Sequence, residues 1–235
     1  MGFIGKAFSG FKKKIGITKR PSGQQKTVTK QPTVATMSEE DRLARDMAEM
    51  AYQKPEERGA IGDYQLDTEL SDKNTAVYHN AKTNKNYIGF RGTADLKDVY
   101  TDVADKRGNI LRGTQKNNPM YKADLALFDK VKGKYGGTTA VSGHSLGGSR
   151  AQNVSQQRNV KGQAFNLGRG FDKGMLMDKA KCMMPKMMRP EWCDKFTSHH
   201  IKGDLLSVAN RGSYGKHKNY AAKNPLKAHF MSNFF

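Results

Sequence analysis

Apolar and polar positions follow two periods along the chain, one typical of helices and one typical of strands. Ser38 precedes three acidic residues, and Leu43, Met47 and Met50 then follow at helical spacing. A serine N-cap with acidic residues in the first turn stabilises the start of a helix, because it satisfies free amide groups there. The pattern therefore predicts a helix that begins after Ser38 and ends before the next proline.

Short runs rich in β-branched and aromatic residues predict strands, and the apolar stripes between them predict helices. The predicted strands span residues 64–70, 76–79, 86–90, 137–141, 162–167 and 196–201. Two further predicted helices span residues 120–132 and 148–154. This alternation predicts an α/β fold with a mostly parallel sheet that carries helices on both faces.

Length and charge limit the classes of protein that fit the chain. It has 235 residues and a net charge of +19, and no apolar run in it is long enough to span a bilayer as a helix. We expect one substantial domain, soluble or peripheral at a membrane surface, whose charge attracts anionic partners. An anionic membrane surface is the favoured partner, and nucleic acid is the less favoured one.

The first 38 residues carry eight lysines or arginines and no acidic residue. We therefore divide the chain into a basic arm with its linker, residues 1–37, and a main domain, residues 38–235. Apolar residues at three- and four-residue spacing between lysines are typical of a helix lying on a membrane, while a disordered basic tail fits the composition equally well. The candidate membrane-binding positions are Phe3, Phe8, Phe11, Lys12, Lys13 and Lys14.

Two sulfur-rich features give weaker predictions. Cys182 and Cys193 can form one bridge, but two cysteines are too few for a disulfide scaffold. Their spacing to His199 and His200 differs from that of structural zinc ligands, so we expect no metal site and no cofactor. Six methionines lie in residues 175–188, and adaptable core packing is favoured over a lipid-contacting patch for them.

The run of residues 141–148 contains a G-x-S-x-G motif, with Gly143, His144, Ser145 and Gly147 in its turn. In a nucleophile elbow the serine adopts a strained backbone between strand and helix, so the positions two before and two after it need glycine. The motif is weak alone in a chain with 24 glycines, but a β-branched run precedes it and a proline-free run follows it. His144 is expected to point away from the serine and to pack. Because Ser149 stands where a phosphate-binding loop needs lysine, we expect no nucleotide site.

A serine nucleophile needs a base, a carboxylate that orients the base, and donors for the oxyanion. Asp204 follows a predicted strand and is the candidate acid. His217 and His229 both lie downstream of it, and His229 is favoured because its neighbours are apolar, whereas His217 lies in a cationic segment that we expect to be flexible. The candidate oxyanion donors are the amide of Leu146 and the amide and hydroxyl of Thr93.

Taken together, these segments resemble the class three, fungal-type lipase family of the α/β-hydrolase fold. The matching pieces are F-R-G-T at 90–93, Thr101-Asp102, G-H-S-L-G-G at 143–148, Gly203-Asp204 and His229. The resemblance implies a Ser145, Asp204 and His229 triad, an oxyanion hole at Thr93 and Leu146, and a lid at residues 94–100 over an acyl-binding groove.

By that resemblance the protein is a serine carboxylester hydrolase, a lipase or phospholipase that works through an acyl-enzyme on a lipid or other ester substrate. Two alternatives stay open. One is a different acyl hydrolase, such as a peptidase or thioesterase, since the same triad serves these reactions. The other is a non-catalytic basic protein that binds membrane or nucleic acid on a hydrolase fold. Small viral proteins can carry such domains, so association with a virion is a further expectation.

Overall fold

The fold is built from residues 36–93, 119–168, 173–204, 213–223 and 228–235, which a computed structural model describes. The arm up to residue 35, with its six candidate membrane-binding positions, lies outside the described residues. So do the predicted lid at 94–100 and the Thr101-Asp102 pair.

The helix predicted behind Ser38 forms as α1, Glu39–Met50. The hydroxyl of Ser38 accepts a hydrogen bond from the amide of Asp41 at 3.2 Å, as expected for an N-cap. Ala44, Met47 and Ala48 are fully buried, so the apolar stripe of this helix faces the core.

Seven strands form one sheet in the described part of the chain, and their order in the sheet follows their order in the sequence. β1, β2 and β3 are antiparallel, whereas β3 to β7 are all parallel. This confirms the predicted mostly parallel α/β sheet. The strands are β1 (Gln65–Leu66), β2 (Thr75–Asn80), β3 (Lys85–Phe90), β4 (Thr138–His144), β5 (Gly162–Phe165), β6 (Phe196–Ile201) and β7 (Lys216–Tyr220).

Four further α-helices and two 3-10 turns complete the described secondary structure. The helices are α2 (Pro119–Tyr135), α3 (Leu146–Arg158), α4 (Lys173–Cys182) and α5 (Trp192–Lys195), and the 3-10 turns are Pro55–Glu57 and Met231–Phe234. Among the described residues, no helix combines the length and the apolar character needed to cross a membrane.

Helices cover both faces of the sheet in an arrangement that follows from its topology. Parallel strands added in one direction by right-handed crossovers place every crossover helix on the same face. Accordingly, α2 and α3 pack on one face through Phe128, Val131 and Val154. The opposite face is covered by α1 and by the C-terminal segment, where Met231 and Phe234 join the core.

Three predictions about local structure were wrong. The strand predicted at 64–70 ends at Leu66, because the carboxylate of Asp67 accepts the amides of Glu69 and Leu70 and turns the chain. The cationic segment around His217 is not a loop but strand β7, which pairs with β6. Lysines suit an edge strand because they discourage pairing with another sheet.

The third error concerns the methionine-rich segment, which is exposed and not part of the core. Leu176 and five of the methionines have large exposed fractions, namely Met177, Met183, Met184, Met187 and Met188. Cys182 and Cys193 form a disulfide bond, with their Cα atoms 5.4 Å apart. We call residues 176–189, which comprise the later part of α4 and the residues that follow it, the methionine loop.

Candidate active site

Ser145 lies between β4 and α3 with φ 54° and ψ −123°, a conformation that is strained for a residue with a side chain. A methyl group on Gly143 would overlap the Gly147 carbonyl, and one on Gly147 would overlap the Phe90 carbonyl. Both glycines are therefore required by the close approach of backbone to backbone. The strand, turn and helix have the layout of a nucleophile elbow.

The three candidate triad side chains lie in one hydrogen-bonded row. His229 Nδ1 is 2.8 Å from Asp204 Oδ1, and His229 Nε2 is 3.0 Å from Ser145 Oγ. Because an ionised carboxylate can only accept, Nδ1 carries the proton and Nε2 is left to accept from the serine hydroxyl. Asp204 is buried and follows β6 through a turn in which Gly203 has φ 96°.

His217, the alternative base, lies elsewhere. It is part of β7, where its ring stacks on that of His200 and its Nδ1 is 2.9 Å from His200 Nε2. Of the two candidate bases, His229 is the one that the fold brings to Ser145.

His144 does more than pack beside the elbow. Its Nε2 is 2.6 Å from the carbonyl oxygen of His229, and its Nδ1 is 2.9 Å from Tyr52 Oη. The amide of Gly92 donates to the same Tyr52 oxygen at 3.2 Å. A carbonyl cannot donate, so Nε2 must donate to it, and Nδ1 must then accept from the tyrosine. Burial, followed by the effect of His229, lowers the pKa of His144 to about 3, so its ring is neutral near pH 7.

This series of hydrogen bonds connects three parts of the site. It runs from the loop that carries Thr93, through Tyr52 at the end of α1, to the backbone of His229. A methyl group on Gly92 would overlap the carbonyl of His144, so the loop can approach this closely only with glycine. Sequence reasoning missed Tyr52, because its partners lie 40 and 92 positions away.

Asn166 provides a second support for the backbone of His229. Its side-chain Nδ2 donates to the carbonyls of Ala228 and His229 at 2.9 and 3.1 Å. Its side-chain oxygen accepts a hydrogen bond from the backbone amide of Ile201 at 2.9 Å. Asn166 has φ 45°, which asparagine tolerates better than most residues. It thereby ties the end of β5 to the end of β6 and to the C-terminal segment.

The candidate oxyanion donors lie at the same edge of the sheet. Leu146 is the first residue of α3, and Thr93 follows β3 directly after Gly92. Gly168 forms a wall there, because a methyl group on it would lie 3.0 Å from the Leu146 amide and 3.1 Å from Ser145 Oγ. Sequence reasoning did not single out Gly168.

A buried ion pair fixes the end of β3 next to this site. Arg150 on α3 makes a two-pronged contact with Asp124 on α2, at 3.0 and 2.6 Å. The same guanidinium donates to the carbonyls of Arg91 and Asn74 at 3.1 and 2.9 Å. The ion pair and these two hydrogen bonds hold the buried guanidinium of Arg150 in place. The guanidinium in turn fixes the end of β3, the strand that leads into Thr93.

The mostly parallel sheet and the elbow at Ser145 define the fold as that of the α/β-hydrolases. Among solved structures the chain is similar to the Lip2 lipase from Yarrowia lipolytica, with 17% identity, a TM-score of 0.50 and 84% of each chain covered. It is also similar to the lipase from Rhizopus microsporus var. chinensis, with 16% identity, a TM-score of 0.54, 80% of this chain covered and 76% of that chain. No protein-family model matches the sequence, and no curated protein matches it. The chain thus has the fold of the fungal lipases, as the resemblance in its motifs predicted.

Proposed function

We propose that the protein is a serine carboxylester hydrolase that cleaves lipid esters, as a lipase or phospholipase does. The observation that carries the proposal is the row from Ser145 Oγ through the ring of His229 to Asp204, with spacings of 3.0 and 2.8 Å. The strained backbone of Ser145 supports it, because this strain keeps the hydroxyl clear of the sheet edge.

The reaction runs in two halves. Ser145 Oγ attacks the ester carbonyl while His229 Nε2 takes its proton, and Asp204 stabilises the imidazolium that forms. The amide of Leu146, with the amide and hydroxyl of Thr93, stabilises the negative oxygen. His229 returns the proton to the leaving alcohol. Water then attacks the acyl-enzyme with His229 as base, which releases the carboxylic acid and restores the serine hydroxyl.

Two observations support a lipid ester as substrate. The two structural relatives named above are lipases by name. In addition, the net charge of +19 attracts anionic surfaces, which favours anionic phospholipid over neutral fat. The polar residues predicted for the lid agree with a headgroup-bearing substrate.

A fluorophosphonate probe tests the nucleophile, followed by peptide mapping of the labelled residue. We expect labelling at Ser145 and none in Ser145→Ala, whereas Ser198→Ala, a change at a buried serine in β6, is labelled normally. Labelling that persists in Ser145→Ala would contradict the triad.

A substrate panel then tests the class of ester. Purified protein is given triacylglycerol, phosphatidylcholine, phosphatidylglycerol, a short-chain nitrophenyl ester, a thioester and a peptide. Hydrolysis of phosphatidylglycerol ahead of the neutral lipids is expected. A labelled enzyme that cleaves only the thioester or the peptide would retain the nucleophile and refute the lipid ester.

A further inference from the structure

The methionine loop exposes apolar surface that the fold leaves uncovered. Met187 is 92% exposed, Met183 is 76% exposed and Met188 is 63% exposed. Six of the eight large apolar side chains that are exposed in the described part of the chain belong to this loop. Exposed apolar side chains gathered in one short segment in this way indicate an interaction site.

The loop is held in place at its base and is not a free tail. The disulfide between Cys182 and Cys193 ties the middle of the loop to α5, four residues beyond its end. Beside it, Trp192 packs edge-on against Tyr214 with ring centroids 4.5 Å apart. Within the tip, the amide of Met188 donates to the carbonyl of Pro185 at 2.8 Å. The methionines are therefore presented on a tip that needs little ordering when it binds.

Basic residues are interleaved with the apolar ones. Four basic residues and one acidic residue lie within the loop, and Lys181 and Lys186 are exposed. Lysine next to exposed apolar side chains is the composition of segments that enter the interface of an anionic bilayer, where the charge meets the headgroups and the apolar groups meet the acyl chains. A second copy of this basic chain would be repelled from the same surface.

We propose that the methionine loop is a docking surface for anionic phospholipid membrane, separate from the basic arm. It is also separate from the triad. Its base is bonded to the end of α3, where Asn159 donates to Glu191 at 2.9 Å and accepts from Lys195 at 2.8 Å. Asn159 precedes β5, whereas Ser145 lies at the opposite, carboxyl end of the strands. The base of the loop is therefore bonded at the opposite end of the strands from Ser145.

Vesicle sedimentation tests the proposal, with ether-linked lipids that contain no ester bond to hydrolyse. The result is thus independent of the proposed function. The full chain is mixed with phosphatidylcholine vesicles, with or without an equimolar share of phosphatidylglycerol, at low and high salt. We expect binding to the anionic vesicles that weakens as salt rises. A wild-type chain that ignores anionic vesicles would overturn the proposal and direct attention to an acidic protein partner.

Two loop variants and one matched control locate the binding surface. The first variant replaces Met183, Met184, Met187 and Met188 with serine. The second carries Lys179→Gln, Lys181→Gln and Lys186→Gln. The control changes charge equally at three exposed lysines outside the loop, by Lys85→Gln, Lys122→Gln and Lys130→Gln. Every variant keeps the basic arm.

Both loop variants should bind anionic vesicles about tenfold more weakly or worse, since one removes apolar groups that enter the bilayer interface and the other removes three charges that meet the headgroups. The lysine control should stay within about twofold of the wild type. Thermal unfolding midpoints near that of the wild type show that the variants are folded. Loop variants that bind like the wild type, or a control that loses as much, would refute the loop as the docking surface.

Discussion

The triad edge and the methionine loop use their side chains in opposite ways. We call the triad edge the carboxyl ends of β3 to β6, where Ser145, Asp204 and His229 meet. At the triad edge, polar atoms are buried and each hydrogen bond has a fixed donor and a fixed acceptor. Removing one of these atoms therefore leaves its partner without a hydrogen bond. In the methionine loop, apolar atoms face solvent on a segment that a disulfide ties to α5. The triad edge is therefore expected to tolerate single substitutions poorly. Binding through the methionine loop, in contrast, depends on the sum of several weak contributions.

Among these substitutions, we expect Asp204→Asn to have the largest effect on kcat. Asp204→Asn removes the charge that holds the Nδ1 proton of His229, so the ring adopts the wrong tautomer. We expect kcat for a short-chain ester to fall on the order of a thousandfold or more. Asp178→Asn, the same exchange in the methionine loop, is the control and should leave kcat unchanged. Equal kcat in Asp204→Asn and wild type would refute the proposed role of Asp204.

Gly168→Ala should have the next largest effect. The added methyl group would lie 3.0 Å from the Leu146 amide and 3.1 Å from Ser145 Oγ, next to the proposed oxyanion hole. We expect a loss in kcat of about a hundredfold, comparable to removing one oxyanion donor. Gly133→Ala on α2 adds a methyl group with nothing within 4 Å and serves as the control. Steady-state kinetics on a soluble ester measures both, and full activity in Gly168→Ala would place the oxyanion hole elsewhere.

Tyr52→Phe tests the series of hydrogen bonds that connects Gly92, through Tyr52 and His144, to the backbone of His229. The change leaves the half-buried Gly92 amide without its acceptor and His144 Nδ1 without its donor. We expect kcat to fall about tenfold with little change in KM, because His229 and the loop that carries Thr93 lose orientation. Tyr214→Phe removes a comparable bond, from Tyr214 Oη to the carbonyl of Gln152, at the base of the methionine loop. That control should lose stability but keep kcat, and equal kcat losses in both variants would argue against a positioning role for Tyr52.

Acid should destabilise the sheet but spare the methionine loop. Burial lowers the pKa of His144 and of His199 to about 3 each. The unfolded histidines bind protons near pH 6.5, so stability is lost as pH falls from about 6.5 towards about 3.

His199→Gln measures this effect. Inside the window, the slope of unfolding free energy against pH should decrease by about 1.4 kcal/mol per pH unit. Urea unfolding at several pH values gives the slope, and an unchanged slope would refute the assignment. The methionine loop contains no histidine, so its vesicle binding should show no such window.

The parts of the fold that sequence predicted well depend on neighbours in the chain. The N-cap at Ser38 and the glycines around Ser145 act over a few residues, and their local patterns gave α1 and the elbow. The order of Asp204 and His229 after the serine also pointed to the side chains that the fold brings together. Their catalytic roles stay predictions.

The parts that were missed depend on contacts made only in the folded chain. Tyr52 and Asn166 become informative only once the sheet brings the C-terminal segment beside them. The methionine loop was mistaken for core because apolar composition does not encode burial. The disulfide between Cys182 and Cys193 ties this segment to α5, and its methionines face solvent.

The position of His229 in the chain has a consequence for biosynthesis. It lies 84 residues after Ser145 and beyond all seven described strands. On a ribosome the elbow and its strand therefore emerge long before the base does. Under the proposed mechanism, Ser145 lacks its proton acceptor until the C-terminal segment docks on α1 and the sheet, where Arg45 donates to the carbonyl of Phe234 at 3.0 Å. The protein is therefore, under the proposed mechanism, inert towards lipid esters until its C-terminal segment has been made and has docked.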